Sequence, residues 1–187
     1  MGNKLLLTYS RLQFSICLLS LLVENVHNKG NYLIQFTKCS CSHKTPRVRA
    51  FECSLRNDSK RLNLIDIRAE LSAVIQEVNA RAILHLFQKN RPRMTLVDVT
   101  VNACNFMETM SKVRMFVIFR RVLDKYLNVI PKCPLKKDFN YTLTGMHYGV
   151  DDLPPYLPEA DFKNIILLTT KRNETVKMEF FGRILKI

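Results

Sequence analysis

Apolar and polar residues alternate with a period of two along much of this chain, and no other feature limits its fold so strongly. In Asn63–Leu71, Ile65, Ile67, Ala69 and Leu71 point one way and Asp66, Arg68 and Glu70 the other. Ala80, Ala82, Leu84 and Leu86 alternate with Arg81, Ile83, His85 and Phe87. Val97, Val99, Val101 and Ala103 alternate with Leu96, Asp98, Thr100 and Asn102. Successive side chains of a strand leave opposite faces, so each stretch reads as a half-buried β-strand. Residues 139–146, 162–170 and 175–187 are rich in β-branched and aromatic residues and read as further strands, with a turn at 171–174 joining the last two into a hairpin. Pro154, Pro155 and Pro158 mark an irregular connection, because proline cannot donate to a sheet ladder.

Residues 111–128 have the helical period instead. Met115, Ile118, Phe119, Val122, Leu123 and Tyr126 share one face, with Arg114, Arg121 and Lys125 opposite. The apolar face reads as core packing and the basic stripe as a solvated face. Six or seven strands and this helix predict a mainly β fold, a β-sandwich with one amphipathic helix inserted between strands.

The start of the chain reads as a targeting signal. Lys4 and Arg11 precede an apolar run of twelve, Leu12 to Val23, too short to span a bilayer as a helix, which takes about 20 apolar residues. Residues 1–28 are therefore expected to be a cleaved secretion signal, cut within residues 24–31, and residues 29–187 a single domain.

The remaining cysteines, Cys39, Cys41, Cys53, Cys104 and Cys133, suit an oxidising compartment, where chains of this size use them as staples. Cys104 closes one strand and Cys133 follows the helix, so a bridge between them would fasten the helical excursion to the sheet. Cys53 pairs with either Cys39 or Cys41, leaving one cysteine over. The spacing of Cys39, Cys41, His43 and Cys53 does not suit zinc, and no metal or cofactor is expected. Asn57, Asn140 and Asn173 each open an Asn-x-Ser/Thr sequon and are expected to be glycosylated.

The run Val99-Thr-Val-Asn-Ala-Cys104-Asn-Phe106, the later Cys133-Pro134, and Leu153-Pro154 through Pro158-Glu-Ala-Asp-Phe162 resemble, in order and spacing, an insect family of secreted proteins carrying a domain of unknown function. Phe51-Glu-Cys53 and Phe181-Gly182 are similar as well. That family is related to the MD-2-like lipid-recognition (ML) domains. The resemblance implies an immunoglobulin-like sandwich that holds a lipid or other apolar ligand between its sheets, with chemosensory relatives. The chain departs from the family pattern at Asn102, where Asp is usual, at Ala160, where Gly is common, and at Asp98, which removes a sequon.

Three functions compete. The first is a secreted, non-enzymatic binder of a lipid or small apolar molecule, lined by Ile65, Ile67, Val97, Val99, Val101, Phe116, Phe119 and Phe180 and acting in chemosensory or lipid-related signalling. The second is a module whose basic exterior binds a receptor or channel ectodomain or an anionic surface. The whole chain carries +13, and removing Lys4, Arg11 and Glu24 with the signal leaves 27 basic against 15 acidic residues, or +12. Nucleic acid fits the charge but not the compartment. The third, an enzyme, has no support: His27, His43, His85 and His147 have no recognisable catalytic partners, and Asp151-Asp152 reads as a solvent-facing turn. Secreted material is expected to begin within residues 24–31 and to lose mass on N-glycosidase treatment; an intact mass that retains residues 1–23 contradicts this reading.

Overall fold

The computed structural model describes residues 32–58, 63–109, 114–153 and 157–187. The expected signal at 1–28, Ser59 of the first sequon, and Pro154 and Pro155 lie outside the described residues. The chain forms β1 (Tyr32–His43), β2 (Val48–Asn57), β3 (Asn63–Leu71), β4 (Val78–Phe87), β5 (Met94–Asn102), α1 (Ala103–Glu108), α2 (Arg114–Tyr126), β6 (Asn140–Met146), a 3-10 turn at Val150–Asp152, β7 (Ala160–Thr170) and β8 (Thr175–Lys186). One sheet has the order β1-β8-β7-β4-β5 and the other β2-β3-β6, with every pairing antiparallel.

The register explains why a period of two builds this fold, because directly opposed residues share a face. Val97, Val99 and Val101 oppose Leu84, Ala82 and Ala80. Ala82 and Ala80 oppose Ile166 and Leu168, which oppose Met178 and Val176, and Met178 opposes Cys41. On the other sheet, Phe51, Cys53 and Leu55 oppose Ala69, Ile67 and Ile65. The two apolar faces meet in a β-sandwich core of Phe36, Leu86, Phe162 and Phe180 from the larger sheet, Ile65, Leu143 and Met146 from the smaller, and Val122 from α2. Phe36 meets Phe162 edge-on, with ring centroids 5.8 Å apart. Val48, Leu71, Ile75 and Val78 pack as a second cluster toward the other end.

The connection between β5 and β6 holds two helices where one was expected. The strand pattern read through Ala103, but the chain turns helical there because the Asn102 side chain accepts the Asn105 N–H at 2.9 Å. Asparagine caps a helix as well as aspartate does, so the departure from the family pattern at Asn102 leaves the cap intact. Cys104 therefore lies in the first turn of α1, not at the end of a strand. The second helix ends at Tyr126, two residues before the end of the 111–128 window, residues 111–113 lie outside the described residues, and Leu127 bridges to Leu143. Ala160 opens β7 opposite Ile184 and is not among the residues with positive φ, so alanine fits where glycine is common.

Cys41 is bonded to Cys53, joining β1 of one sheet to β2 of the other, and Cys104 is bonded to Cys133. Cys39 is free and half-buried, and burial pushes its thiol above the ordinary cysteine range. Gly182 is where the larger sheet packs most tightly: a Cβ there would lie 2.5 Å from the Gln35 carbonyl oxygen and 2.6 Å from Phe162 Cζ. Gly182→Ala is expected to cost about 1–3 kcal/mol and to lower the thermal midpoint. An unchanged melting curve would contradict this packing.

Candidate ligand site between the sheets

The two sheets differ in width. β1 lies against β2 and is tied to it by Cys41–Cys53. The larger sheet has two strands more than the smaller, and while β4 contributes Leu86 and Val78 to the two core clusters, the edge strand β5 contributes to neither. α1 packs on β4 and β5, and α2 packs beside β6. The Arg120 guanidinium fastens the helices together by donating to the carbonyls of Phe106 and Met107 while pairing with Asp124 at 2.7 Å. Phe106 and Phe116 add an edge-to-face contact at 5.7 Å.

This helical cover does not seal the larger sheet. On β5, Val97, Val99 and Val101 are half-buried and belong to neither core cluster. On β4, Ala82 and Leu84 are half-buried. Ile166 and Leu168 are half-buried too, although β7 has a strand on either side. In a closed sandwich the inward side chains of such a strand are fully buried, as Leu86 is at 1% exposure. Leu84, Ile166 and Leu168 pack against the core cluster, whereas the three valines of β5 do not.

The residues expected to line a ligand divide accordingly. Ile65, at 0% exposure, and Phe180, at 4%, are enclosed by protein neighbours. Ile67 is half-buried against the core, and Val97, Val99 and Val101 lie together on the open face. Phe116 rests on Phe106, and Phe119 meets the Tyr148 ring edge-on at 6.4 Å. Ala82, Ile166, Leu168 and Tyr148 join this region without having been picked out from the sequence. The alternation put Ala82 on one face of its strand but did not pair that strand with Val99, and Tyr148 follows β6, where no periodic signal marked it. Its ring also packs on Phe36, with centroids 6.2 Å apart. Burial, and then the Asp152 charge, push its phenol well above the usual tyrosine range.

Asp152 departs from the expected solvent-facing turn, being only 4% exposed. Its carboxylate accepts from Lys125 Nζ at 2.7 Å and from the Gly149 N–H at 3.0 Å. Burial works against its charge, but Lys125, Gly149 and Arg121 together outweigh burial and hold its carboxyl below the ordinary aspartate range. Lys125 thus carries an ion pair where the sequence read only a solvated stripe. His147 also finds partners, the Tyr126 hydroxyl at 3.2 Å and the Gly145 carbonyl at 3.0 Å. Among the described residues no group of three or more His, Cys, Asp or Glu residues is placed to hold a metal.

Asn57, Asn140 and Asn173 are exposed, as a glycan requires. Two recesses lie elsewhere: one of about 230 Å³ on the solvent side of the smaller sheet, and one of about 320 Å³ lined in part by Phe87, Lys89, Asp161 and Leu185. No described helix is long and apolar enough to cross a membrane.

The family described as "Protein of unknown function (DUF1091)" matches residues 78–164, from β4 into β7. No curated protein matches the chain in sequence. Solved structures similar to it include chicken MD-1 complexed with lipid IVa, at 17% identity and a TM-score of 0.35, covering 82% of this chain and 97% of that one. A Niemann-Pick type C2 protein from Japanese carpenter ant is similar at 16% identity and a TM-score of 0.32, covering 82% and 93%.

The Asp152 environment has a consequence for pH. A carboxylate held below its unfolded pKa adds stability that is complete above about pH 4 and is lost as the pH falls through the folded value. Asp152→Asn is expected to cost about 1–2 kcal/mol at neutral pH, allowing for the half-exposed lysine, and to flatten the acid side of the stability curve. Urea unfolding across the acid range checks this, and an acid slope equal to that of the parent would refute it.

Proposed function

We propose that the domain is a secreted, non-enzymatic binder that holds a lipid or other small apolar molecule against the inward face of β5, β4 and β7. The supporting observation is the half-burial of Val97, Val99, Val101, Ile166 and Leu168 on a face whose register points it between the sheets. Apolar surface left accessible inside a fold gains free energy when an apolar guest covers it. At about 0.8 kcal/mol per methylene, roughly ten buried methylenes supply about 8 kcal/mol, the scale of micromolar affinity. Tyr148, beside Phe119, offers a polar group within this apolar region. Bound ligand would be presented to a receptor or channel ectodomain, in the chemosensory or lipid-related signalling that the sequence resemblance implies.

Ala82 provides the test, because it opposes both Val99 and Ile166. Native mass spectrometry of mildly purified protein is expected to show an apolar adduct. Ala82→Phe is expected to keep the thermal midpoint while weakening uptake of a fluorescent fatty acid by about tenfold or more, since the ring fills space a guest would use. If the interior is instead closed, no adduct appears and the same substitution costs about 1–3 kcal/mol of stability through overpacking.

A further inference from the structure

The connection between β4 and β5 reads Gln88-Lys-Asn-Arg-Pro-Arg93, and no acidic residue occurs between Glu77 and Asp98. Lys89, Arg91 and Arg93 are exposed, and none forms an ion pair with a described residue. The arginines on the strands behave differently: Arg49, Arg56, Arg81 and Arg183 each pair with a carboxylate. The loop nevertheless has a defined shape. Asn90 takes a left-handed φ of 60°, the Arg91 N–H donates to the Gln88 carbonyl at 3.2 Å, and Gln88 Nε2 donates to the Glu159 carbonyl at 3.2 Å. The nearest acids are already engaged, Asp161 with Arg183 and the Glu159 carboxylate with the Lys186 N–H.

Large apolar side chains flank the three cations. Phe87 is 41% exposed, Met94 44% and Leu96 40%. Leu96 occupies the register shift between the Val97–Leu84 and Thr95–His85 pairs, a bulge that turns it out of the ladder. Unpaired cations around exposed Phe, Met and Leu match a surface with negative charge outside and hydrocarbon a few ångströms beneath. A sulfated glycan or an acidic protein surface would use the cations and leave the apolar side chains without a partner.

We propose that the β4–β5 tip docks the protein on an anionic lipid bilayer, with Lys89, Arg91 and Arg93 meeting the headgroups and Phe87, Met94 and Leu96 entering the interface. The proposal does not depend on the interior site. The surface binds the bilayer from outside, and failure of either reading leaves the other standing.

The chain contains no tryptophan, so Phe87→Trp installs a single reporter at the tip. Co-flotation of the secreted protein with phosphatidylcholine vesicles, with and without phosphatidylserine, is expected to show binding only to the anionic ones, and the Phe87→Trp emission is expected to shift to the blue on binding. Removing three charges with Lys89→Gln, Arg91→Gln and Arg93→Gln should weaken that binding roughly 100-fold. The charge-matched control, Lys132→Gln, Lys136→Gln and Lys137→Gln, lies toward the other end of β4, where Leu135 bridges to Ile75. That is about 30 Å away at ~3.3 Å per strand residue, several Debye lengths, and the control should change binding by no more than about twofold. Equal losses from both triple variants, reporter emission that does not shift, or retention on heparin without vesicle binding would each overturn the proposal.

Discussion

The difference in width between the two sheets shapes this molecule more than any single contact. A five-stranded sheet faces a three-stranded one, and Cys41–Cys53 fixes the edge from which the smaller sheet begins. The deficit shows at the far edge strand, β5, none of whose residues joins either core cluster. Two helices follow β5, the first packing on β4 and β5 and the second beside β6, bound to each other through Arg120 and to the frame through Cys104–Cys133. A helix covers a sheet less evenly than a second sheet does, because its side chains project around a cylinder and not in a plane. Val97, Val99 and Val101 of β5 stay half-buried outside both core clusters.

Much of this was legible in the sequence because the strands alternate cleanly. β3 falls on the residues its alternation indicated, and Val97, Val99 and Val101 share an inward face as their spacing required. Periodicity says which face of a strand is apolar but not whether anything covers it. Ile65 and Val99 look alike in sequence, yet one is fully enclosed on the central strand of the smaller sheet and the other is half-buried on the edge strand of the larger. That distinction depends on strand order, which arises from pairings distant in the chain. The same limit hid the Lys125–Asp152 pair, whose members are 27 residues apart and share no repeat. Helix α1 was missed for a local reason: Asn102 both ends a strand pattern and caps a helix, and the alternation obscured the cap.

The charged residues are distributed unevenly over the fold. Along the sheets, arginines and lysines are largely matched across the strands, as in Arg81–Asp98 and in Lys163 and Lys177 around Glu179. Exposed pairs of this kind contribute little stability individually, but they neutralise the sheet surface. In the loops the picture is mixed: Arg47 and Lys171 meet Glu174 and Glu77, whereas Lys89, Arg91 and Arg93 form no ion pair with a described residue. The exterior is in this way specialised by location, while the buried polar residues among those described are Thr45 and the ion-paired Asp152.

The central claim is that the inward face of β5, β4 and β7 is a surface for an apolar guest and not unfinished core. Isotope-filtered NOE spectroscopy on methyl-labelled protein with an unlabelled fatty acid tests it most directly. The account predicts contacts from the alkyl chain to the methyls of Val99, Val101, Ile166 and Leu168 and none to Ile65. Contacts confined to exposed side chains such as Val129 and Ile130, or no contacts at saturating fatty acid, would contradict it.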